Sequence, residues 1–231
     1  MTSRTLTAQR TALMMMIGML TAALPGAAAG TADEPTHSWR DFAGVSNTSF
    51  TESSGDRAIQ LSIDVPAPVH DVYTAFTTTE GFGSWAVPVT HVDLRVGGYM
   101  ESSYDPNAKI GDPDNIRNQI LAYVPDRLLV IRNVHAPMAL ADAELFQRTA
   151  TAIEFVAIDA GHTRVTMTNA GYGAGEAFAR LFHNFEWGDA YYLSELRGRF
   201  EHGPVDWAAR AAQQKAKAAS DTVTQAATTH K

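Results

Sequence analysis

Apolar residues first alternate and then recur at helical spacing, in an order that predicts a single α+β domain over residues 57–203. The alternation is clearest in the first strand, where Ile59, Leu61, Ile63 and Val65 share one face. Behind Pro68, which suits the first turn of a helix, the period becomes helical. The predicted elements are a strand over 58–65, a helix over 69–76, a short helix containing Phe82 and Trp85, strands over 90–96, 99–104, 115–124 and 128–134, a helical turn within 136–146, strands over 150–158 and 163–168, and a long helix over 175–201.

The long helix indicates how these elements pack. Phe178, Leu181, Phe185, Tyr192 and Leu196 fall on one broad apolar stripe with polar residues opposite. A helix with this much apolar surface needs a sheet to cover it. We therefore expect six to seven antiparallel strands wrapped around the C-terminal helix.

Both ends of the chain differ in composition from the domain. Residues 1–29 have the three parts of a secretory signal, namely early arginines, an apolar run from Leu13 to Leu24, and small residues for cleavage near Ala29. The apolar run is shorter than the roughly 20 residues that span a bilayer, so we expect no stable membrane span after cleavage. Residues 30–56 are predicted to be a polar leader on the domain surface. Residues 204–231 form an Ala-rich tail, weakly helical and then disordered, and the protein is predicted to be periplasmic or secreted.

Three short sequences in the domain resemble those of a known superfamily. V-D-L-R-V-G-G (Val92–Gly98) resembles its second strand and glycine turn, and T-R-V-T-M-T-N-A-G-Y (Thr163–Tyr172) resembles its last strand, with Asn169-Ala170-Gly171 in place of a frequent His-Ser-Gly. The pair Trp187-Gly188 resembles a Gly-Trp of the long helix in reversed order. The chain thus resembles the START-like (SRPBCC) superfamily, closest to its activator-of-heat-shock-ATPase-like branch. The resemblance implies a helix-grip fold built around a cavity, but it specifies function poorly because lipid carriers, cyclases, hormone receptors and co-chaperones share this fold.

Composition narrows the classes of partner. The net charge is −7 at pH 7, and loss of residues 1–29 removes two arginines and no acids. An acidic protein lacks the concentrated basic face that nucleic acid requires, so we expect no nucleic-acid partner. The chain has no cysteine and no His-x-His or His-Glu-x-x-His motif, and therefore no metal site or cofactor is predicted. The sequence does not identify a protein partner.

The resemblance places a ligand in the cavity, where the inward faces of the sheet and helices meet. Ligand cavities are mostly apolar, with a few polar groups that orient the ligand. The predicted ligand-binding residues are Phe82, Trp85, Met100, Tyr104, Asn118, Arg132, Phe155, Met167, Asn169, Phe182, Phe185 and Tyr192. Taken one by one, the apolar members are more typical of plain core packing, and Trp85 of an anchor between its short helix and the sheet.

Three side chains are candidates for catalysis. Arg132 alternates with Leu128 and Val130, which places it on an apolar strand face, where it would need a carboxylate or a ligand anion. If the alternation slips at the strand end, Arg132 reaches water instead. His183 beside the apolar stripe is a candidate acid or base, although such a histidine is more often a helix-surface residue. Asp189 is the third candidate.

Three functions follow, in order of preference. The first is an exported helix-grip protein that binds a hydrophobic small molecule or lipid. The second is a cavity enzyme of cyclase, dehydratase or hydrolase type, in which a few polar residues act on a positioned substrate. The third is a co-chaperone-like interaction module, which export disfavours because an ATP-driven cytosolic partner would be missing.

Overall fold

A computed structural model describes residues 37–138 and 140–216, and its centre is one antiparallel sheet. The predicted signal at 1–29, the first part of the leader and the tail beyond residue 216 lie outside the described residues. The strand order is β1-β3-β9-β8-β7-β6-β5-β4, with β2 also paired to β3. The nine strands are β1 (Ser46–Asn47), β2 (Phe50–Thr51), β3 (Arg57–Val65), β4 (Val89–Val92), β5 (Tyr99–Ser103), β6 (Ile116–Val124), β7 (Leu128–His135), β8 (Ala150–Ala157) and β9 (Thr163–Tyr172).

The helices lie against this sheet. They are α1 (Val69–Thr77), α2 (Thr79–Gly83), α3 (Ala143–Phe146), the long helix α4 (Glu176–His202) and a last helix, α5, over residues 207–216. The predicted α+β helix-grip fold is confirmed, because one antiparallel sheet packs on a long C-terminal helix. Strands β3 to β9 are the expected seven, and the leader adds the two-residue strands β1 and β2.

Local sequence accounts for where several elements begin and end. The Thr78 hydroxyl accepts a hydrogen bond from the Gly81 amide at 3.0 Å and so caps the start of α2. Helix α2 ends at Gly83, and Trp85 follows in a turn instead of lying within the predicted helix. Strand β4 ends at Val92, earlier than predicted, because the chain turns back through Gly97, which has a φ of +80°.

The leader packs on α4 as well as lying on the surface. Phe42 and Val45 are buried, and the Phe42 ring lies 5.9 Å from the Trp187 ring and 6.0 Å from the Tyr191 ring. The Asn47 side-chain amide donates to a Glu186 carboxylate oxygen at 2.7 Å. The leader therefore covers a side of α4 that the sheet leaves open.

The tail is anchored at the turn that follows α2. The Val205 amide donates to the Ser84 carbonyl at 2.8 Å, and the Trp207 indole donates to the Gly83 carbonyl at 2.6 Å. A salt bridge of 2.6 Å joins Arg210 on α5 to Glu195 on α4. Both ends of the described chain thus pack against the long helix.

Candidate functional site

The inward face of the sheet is a continuous surface. Residues opposite each other in an antiparallel pair project to the same face, so the strand register defines rows of neighbouring side chains. Three central rows consist of Met100, Asn118 and Asn133; of Ile131, Thr151 and Asn169; and of Leu129, Ile153 and Met167. Two of these rows carry polar side chains toward the interior, and the third is apolar.

Aromatic side chains close the opposite side. The rings of Trp85 and Tyr192 lie 4.5 Å apart between centroids. Phe76 and Phe82 lie 6.1 Å and 6.2 Å from Tyr192, so the four rings form one cluster between α1, α2 and α4. Such aromatic contacts add stability beyond the area they bury and hold the wall in place.

Tyr104, Asp189 and Tyr192 indicate an internal space between the sheet and α4. Protein surrounds each of these side chains, and burial is the largest factor that disfavours the ionised form of each. Each residue nevertheless keeps part of its surface accessible. That surface therefore lines a recess within the fold, and on Tyr104 it lies in a small pocket formed with the tail.

The Asp189 carboxyl group lies beside this space, and none of the described residues gives it a charged partner. Burial raises its pKa from the ordinary 3.8 to about 8, and the nearby Asn169 amide, which favours the ionised form, offsets only part of this effect. Within the described residues, its Oδ2 atom has no hydrogen-bond partner. Asp189 is therefore mostly protonated at neutral pH.

Neighbouring polar groups on the sheet are also unsatisfied. Asn133 donates from Nδ2 to Asn118 Oδ1 at 3.1 Å and to the His135 carbonyl at 2.9 Å. These bonds fix the orientation of the amide and leave Asn133 Oδ1 buried and unpaired in the described structure, like Asn169 Oδ1 and the Tyr172 hydroxyl. Since an unpaired buried polar group costs about 1–3 kcal/mol, a ligand that pairs with these atoms would recover that cost.

Three tyrosines are electrostatically coupled to Asp189. Burial, followed by the charges of Asp189 and Glu195, raises the pKa of Tyr104 to about 12. Burial and Asp189 also raise the pKa of Tyr172, and burial, Tyr104 and Asp189 raise that of Tyr192. All three phenols are neutral at physiological pH. We call Asp189, Asn169 and these tyrosines the Asp189 cluster.

Most of the predicted ligand-binding residues lie on this interior or in its aromatic wall. Nine of them do so, namely Phe82, Trp85, Met100, Tyr104, Asn118, Phe155, Met167, Asn169 and Tyr192. Phe182 packs on Tyr172 at 5.3 Å, and Phe185 stacks on Phe146 at 4.1 Å, so these two lie closer to the start of α4. Their binding of a ligand stays a prediction.

Trp85 serves as an anchor. Its side chain is fully buried, and its indole donates to the Ala75 carbonyl of α1 at 2.9 Å. A residue at the mouth of a cavity would keep exposed surface. Trp85 thus fixes the turn after α2 against α1 and forms part of the wall.

The inward placement of Arg132 is corrected by the structure. Leu129 and Asn133 are the buried residues of β7, whereas Arg132 is exposed and pairs with Gln119 across the strand. The prediction failed because Leu128 to Ile131 are all apolar, so the pattern fits either face, and a shift of one residue reverses every side chain. The alternative, in which Arg132 reaches water, is the one observed.

His183 and Asp189 are not brought together. His183 is half-buried on α4, and its position six residues before Asp189 turns it roughly 120° away around the helix. The described residues therefore offer one ionisable candidate in the interior, Asp189, and not an acid–base pair with His183.

Sequence reasoning missed two inward residues, Asn133 and Thr151. Asn133 ranks among the buried polar side chains, and Thr151 pairs with Ile131 and Asn169 in the central row. The one available signal was an asparagine within an otherwise apolar strand. From the sequence alone, this asparagine could face either the interior or the solvent, because the inward face of the strand is not known.

Two classes of site are not found in the described part of the chain. No three histidines, aspartates or glutamates there come together in a way that could hold a metal ion. No helix among those residues is long and apolar enough to cross a bilayer.

A small pocket lies where the tail meets the domain. It has a volume of about 20 Å³, room for about one water molecule. Its lining is Pro88, Tyr104, Pro106, Trp207, Arg210, Ala211 and Gln214. Because Tyr104 also belongs to the Asp189 cluster, this pocket lies at the tail-covered side of the interior.

Comparison with solved structures gives neighbours of low identity. The Aha1 dimer from Colwellia psychrerythraea is 17% identical, covering 63% of this chain and 97% of its own, with a TM-score of 0.49. CalU16 from Micromonospora echinospora is 20% identical, with 74% and 91% covered and a TM-score of 0.45. A protein of unknown function from Enterococcus faecalis is 14% identical, with 75% and 91% covered and a TM-score of 0.47. No curated protein matches the chain.

A family model gives the stronger result. The model described as activator of Hsp90 ATPase homolog 1-like protein matches residues 66–201, more than half of the chain. The match runs from Pro66, before α1, to Glu201 near the end of α4, and so includes the Asp189 cluster. With the sheet and long helix described above, it confirms the START-like (SRPBCC) resemblance and its branch. The chain belongs to the activator of Hsp90 ATPase homolog 1-like family.

Proposed function

We propose that this protein is exported and binds a hydrophobic small molecule or lipid in the interior between the sheet and α4. The observation that carries the proposal is that Tyr104, Asp189 and Tyr192 keep accessible surface although protein surrounds each side chain. Recessed surface of this kind, beside aromatic rings and with a few polar groups, is typical of small-molecule sites.

The chemistry of the wall supports an organic ligand. Trp85, Phe82 and Tyr192 present rings that contact each other, and Met100 and Met167 on the sheet are buried beside polar neighbours. Methionine and aromatic side chains accommodate varied apolar shapes at little energetic cost. The unpaired amide oxygens then give the ligand an orientation.

Native mass spectrometry of the gently purified protein, followed by solvent extraction, tests the proposal. A retained apolar molecule of defined mass is the expected result. Substitution Ile131→Trp, which fills the interior from the sheet, is expected to abolish retention, whereas Arg132→Trp at the adjacent exposed position is expected to preserve it. If neither the extract nor added naphthalene-type probes show binding, the carrier function is wrong, and a collapsed interior with an interaction role becomes the better explanation.

Export is a part of the proposal that the same experiment measures. The proposed signal at residues 1–29 has the charged, apolar and small-residue regions that signal peptidase substrates share. Expression with the full sequence is expected to yield a mature mass that corresponds to cleavage near Ala29. An intact N-terminus on protein from the soluble cell interior would contradict export.

A second candidate function is catalysis in the same interior, favoured by Asp189. A carboxyl group with a pKa of about 8 is suited to general acid–base chemistry at neutral pH. Incubation of the extracted molecule with the protein, followed by mass analysis, is the test. Turnover that Asp189→Asn abolishes while the ligand is still retained would establish an enzyme, and an unchanged molecule would favour a carrier.

A further inference from the structure

We propose that the ligand of this interior is an organic amine, whose ammonium group pairs with Asp189 while its apolar body lies against the aromatic wall. The inference rests on the proposed function and gives that ligand a charge. An inward Arg132 would have favoured an anionic ligand, but Arg132 is exposed on the other face of β7. Asp189 instead favours a cationic ligand.

Asp189 differs from the other shielded carboxylates because no group in the described part of the chain neutralises it. Glu195 is paired with Arg210 at 2.6 Å, and Glu101 accepts hydrogen bonds from the Gly111 amide and the Asn115 side chain at 2.5 Å and 2.7 Å. Only the Asn169 amide offsets the burial of Asp189, and its Oδ2 is unpaired in the described structure. A buried carboxylate without a counter-charge is costly, so a cationic ligand gains the most by supplying one.

The surroundings of Asp189 suit an ammonium group better than an anion. Tyr104, Tyr172 and Tyr192 lie close enough for the Asp189 charge to affect the pKa of each phenol. An electron-rich aromatic face attracts an organic cation. The next charged group along α4 is Glu195, whose own charge is negative.

The unpaired sheet atoms supply the remaining hydrogen bonds. An ammonium group has three N–H donors and no acceptor. Asn169 Oδ1 and Asn133 Oδ1 are acceptors that lack partners in the described structure, and Asn133 is held in that orientation by the bonds from its Nδ2. At the β3 edge of the interior, Arg57 already stacks on Phe182 at 4.5 Å. The interior thus offers acceptors to a ligand that is rich in donors. Among residues 37–138 and 140–216, no cation acts on Asp189 that could pair with an acidic ligand.

Protonation links amine binding to pH. Asp189 is mostly protonated at pH 7, so pairing with an ammonium group requires it to release a proton. The groups facing it, Asn169 and the three phenols, do not titrate between pH 6 and pH 8. Amine affinity is therefore expected to fall about tenfold from pH 7 to pH 6, while binding of an uncharged analogue is unchanged.

Three probes with the same apolar body test the charge preference. They are 1-naphthylmethylamine, 1-naphthylmethanol and 1-naphthoic acid, titrated into the full-length protein by calorimetry or intrinsic fluorescence. The amine is expected to bind at least tenfold more tightly than the alcohol, and the acid most weakly. Asp189→Asn is expected to weaken the amine at least tenfold and the alcohol less than twofold. Glu186→Gln, a carboxylate on the leader-facing side of α4, is the control and is expected to change neither.

The outcomes separate this inference from the proposed function. If the alcohol or acid binds as well as the amine, or if Asp189→Asn leaves amine affinity unchanged, the interior is a binding site but not for amines. If none of the three binds, the proposed function itself is contradicted. Should Asp189→Asn fail to fold, the pH dependence decides, because equal pH responses of amine and alcohol in the wild type would overturn the role of Asp189.

Discussion

Two carboxyl groups on α4, Glu195 and Asp189, are both shielded from water but lie in opposite electrostatic settings. Glu195 faces α5 and is neutralised by Arg210 at 2.6 Å, so it joins the tail to the domain. Asp189, six residues earlier and roughly 120° around the helix, faces the interior with no positive partner among the described residues. Arg210 offsets the cost of burying the Glu195 charge, whereas no described cation offsets the cost of burying a charge on Asp189.

The difference separates a structural carboxylate from a candidate functional one. Pairing a buried charge makes it inert, whereas an unpaired group shifts its pKa and stays ready to interact. Both carboxyl groups lie near buried phenols, but Glu195 also has Arg210 as a partner, whereas Asp189 has only the Asn169 amide to favour its ionised form. Four substitutions test this comparison.

The largest effect is expected from Arg210→Ala. It leaves Glu195 buried without its partner and is expected to lower the free energy of unfolding by about 3 kcal/mol, measured by urea denaturation. Adding Glu195→Gln to Arg210→Ala is expected to restore most of this loss, because the uncompensated charge is then gone. An equal loss with and without Glu195→Gln would show that the pair does not neutralise a buried charge.

Asp189→Asn is expected to act in the opposite direction. The folded pKa of about 8 lies above the ordinary 3.8, so the unfolded state releases its proton first, and the wild type loses stability as pH rises from about 4 to about 8. The variant removes this loss and is expected to be more stable by about 2 kcal/mol at pH 7, with a smaller gain at pH 5. Urea denaturation at pH 5, 7 and 8 measures the trend. A gain that does not grow with pH would mean that Asp189 is solvated or paired.

Trp207→Phe tests the attachment of the tail that carries Arg210. The ring is kept while the hydrogen bond from the indole to the Gly83 carbonyl is lost, so a destabilisation of about 1 kcal/mol is expected. In the double variant with Arg210→Ala, the loss of unfolding free energy is expected to be smaller than the sum of the two single losses, because each substitution detaches the same helix. Full additivity in a double-mutant cycle would show that the two contacts hold the tail independently.

Arg132→Ala is expected to have the smallest effect. An exposed arginine on the outward face of β7 contributes little, so the free energy of unfolding is expected to stay within about 0.5 kcal/mol of the wild type. Binding of the naphthyl probes is also expected to be unchanged. A loss of affinity for 1-naphthoic acid alone would restore an anion-binding role for Arg132.

The fold was predictable to the level of element order, because burial imposes a period that the residues display. Ile59, Leu61, Ile63 and Val65 alternate in the sequence and are all buried in β3. The aromatic stripe of α4 likewise predicted a helix that covers a sheet. The two short strands of the leader were missed, because they are formed by pairing with β3 and carry no periodic signal of their own.

The site was predictable only in part. Met100, Asn118, Met167 and Asn169 were expected to face inward and do so, because their strands have one clearly apolar face. Strand β7 is apolar on both faces along its first half, and there the prediction chose Arg132 instead of Asn133. The direction of such a strand depends on its register with β6, which includes irregular steps near Ile120.

The sequence by itself determined the class of fold, the family and the residues available to line an interior, because these follow from periodicity and local motifs within short stretches of chain. The tertiary structure decided which of those residues share one space. It brought Asn169 and Tyr172 from β9, Tyr104 from beyond β5, and Asp189 from α4 into one cluster, and it left Asp189 unpaired while Glu195 found Arg210. The physical reason is that a charge is neutralised by what lies near it in space, and strand register and helix rotation set those distances across long separations in the chain.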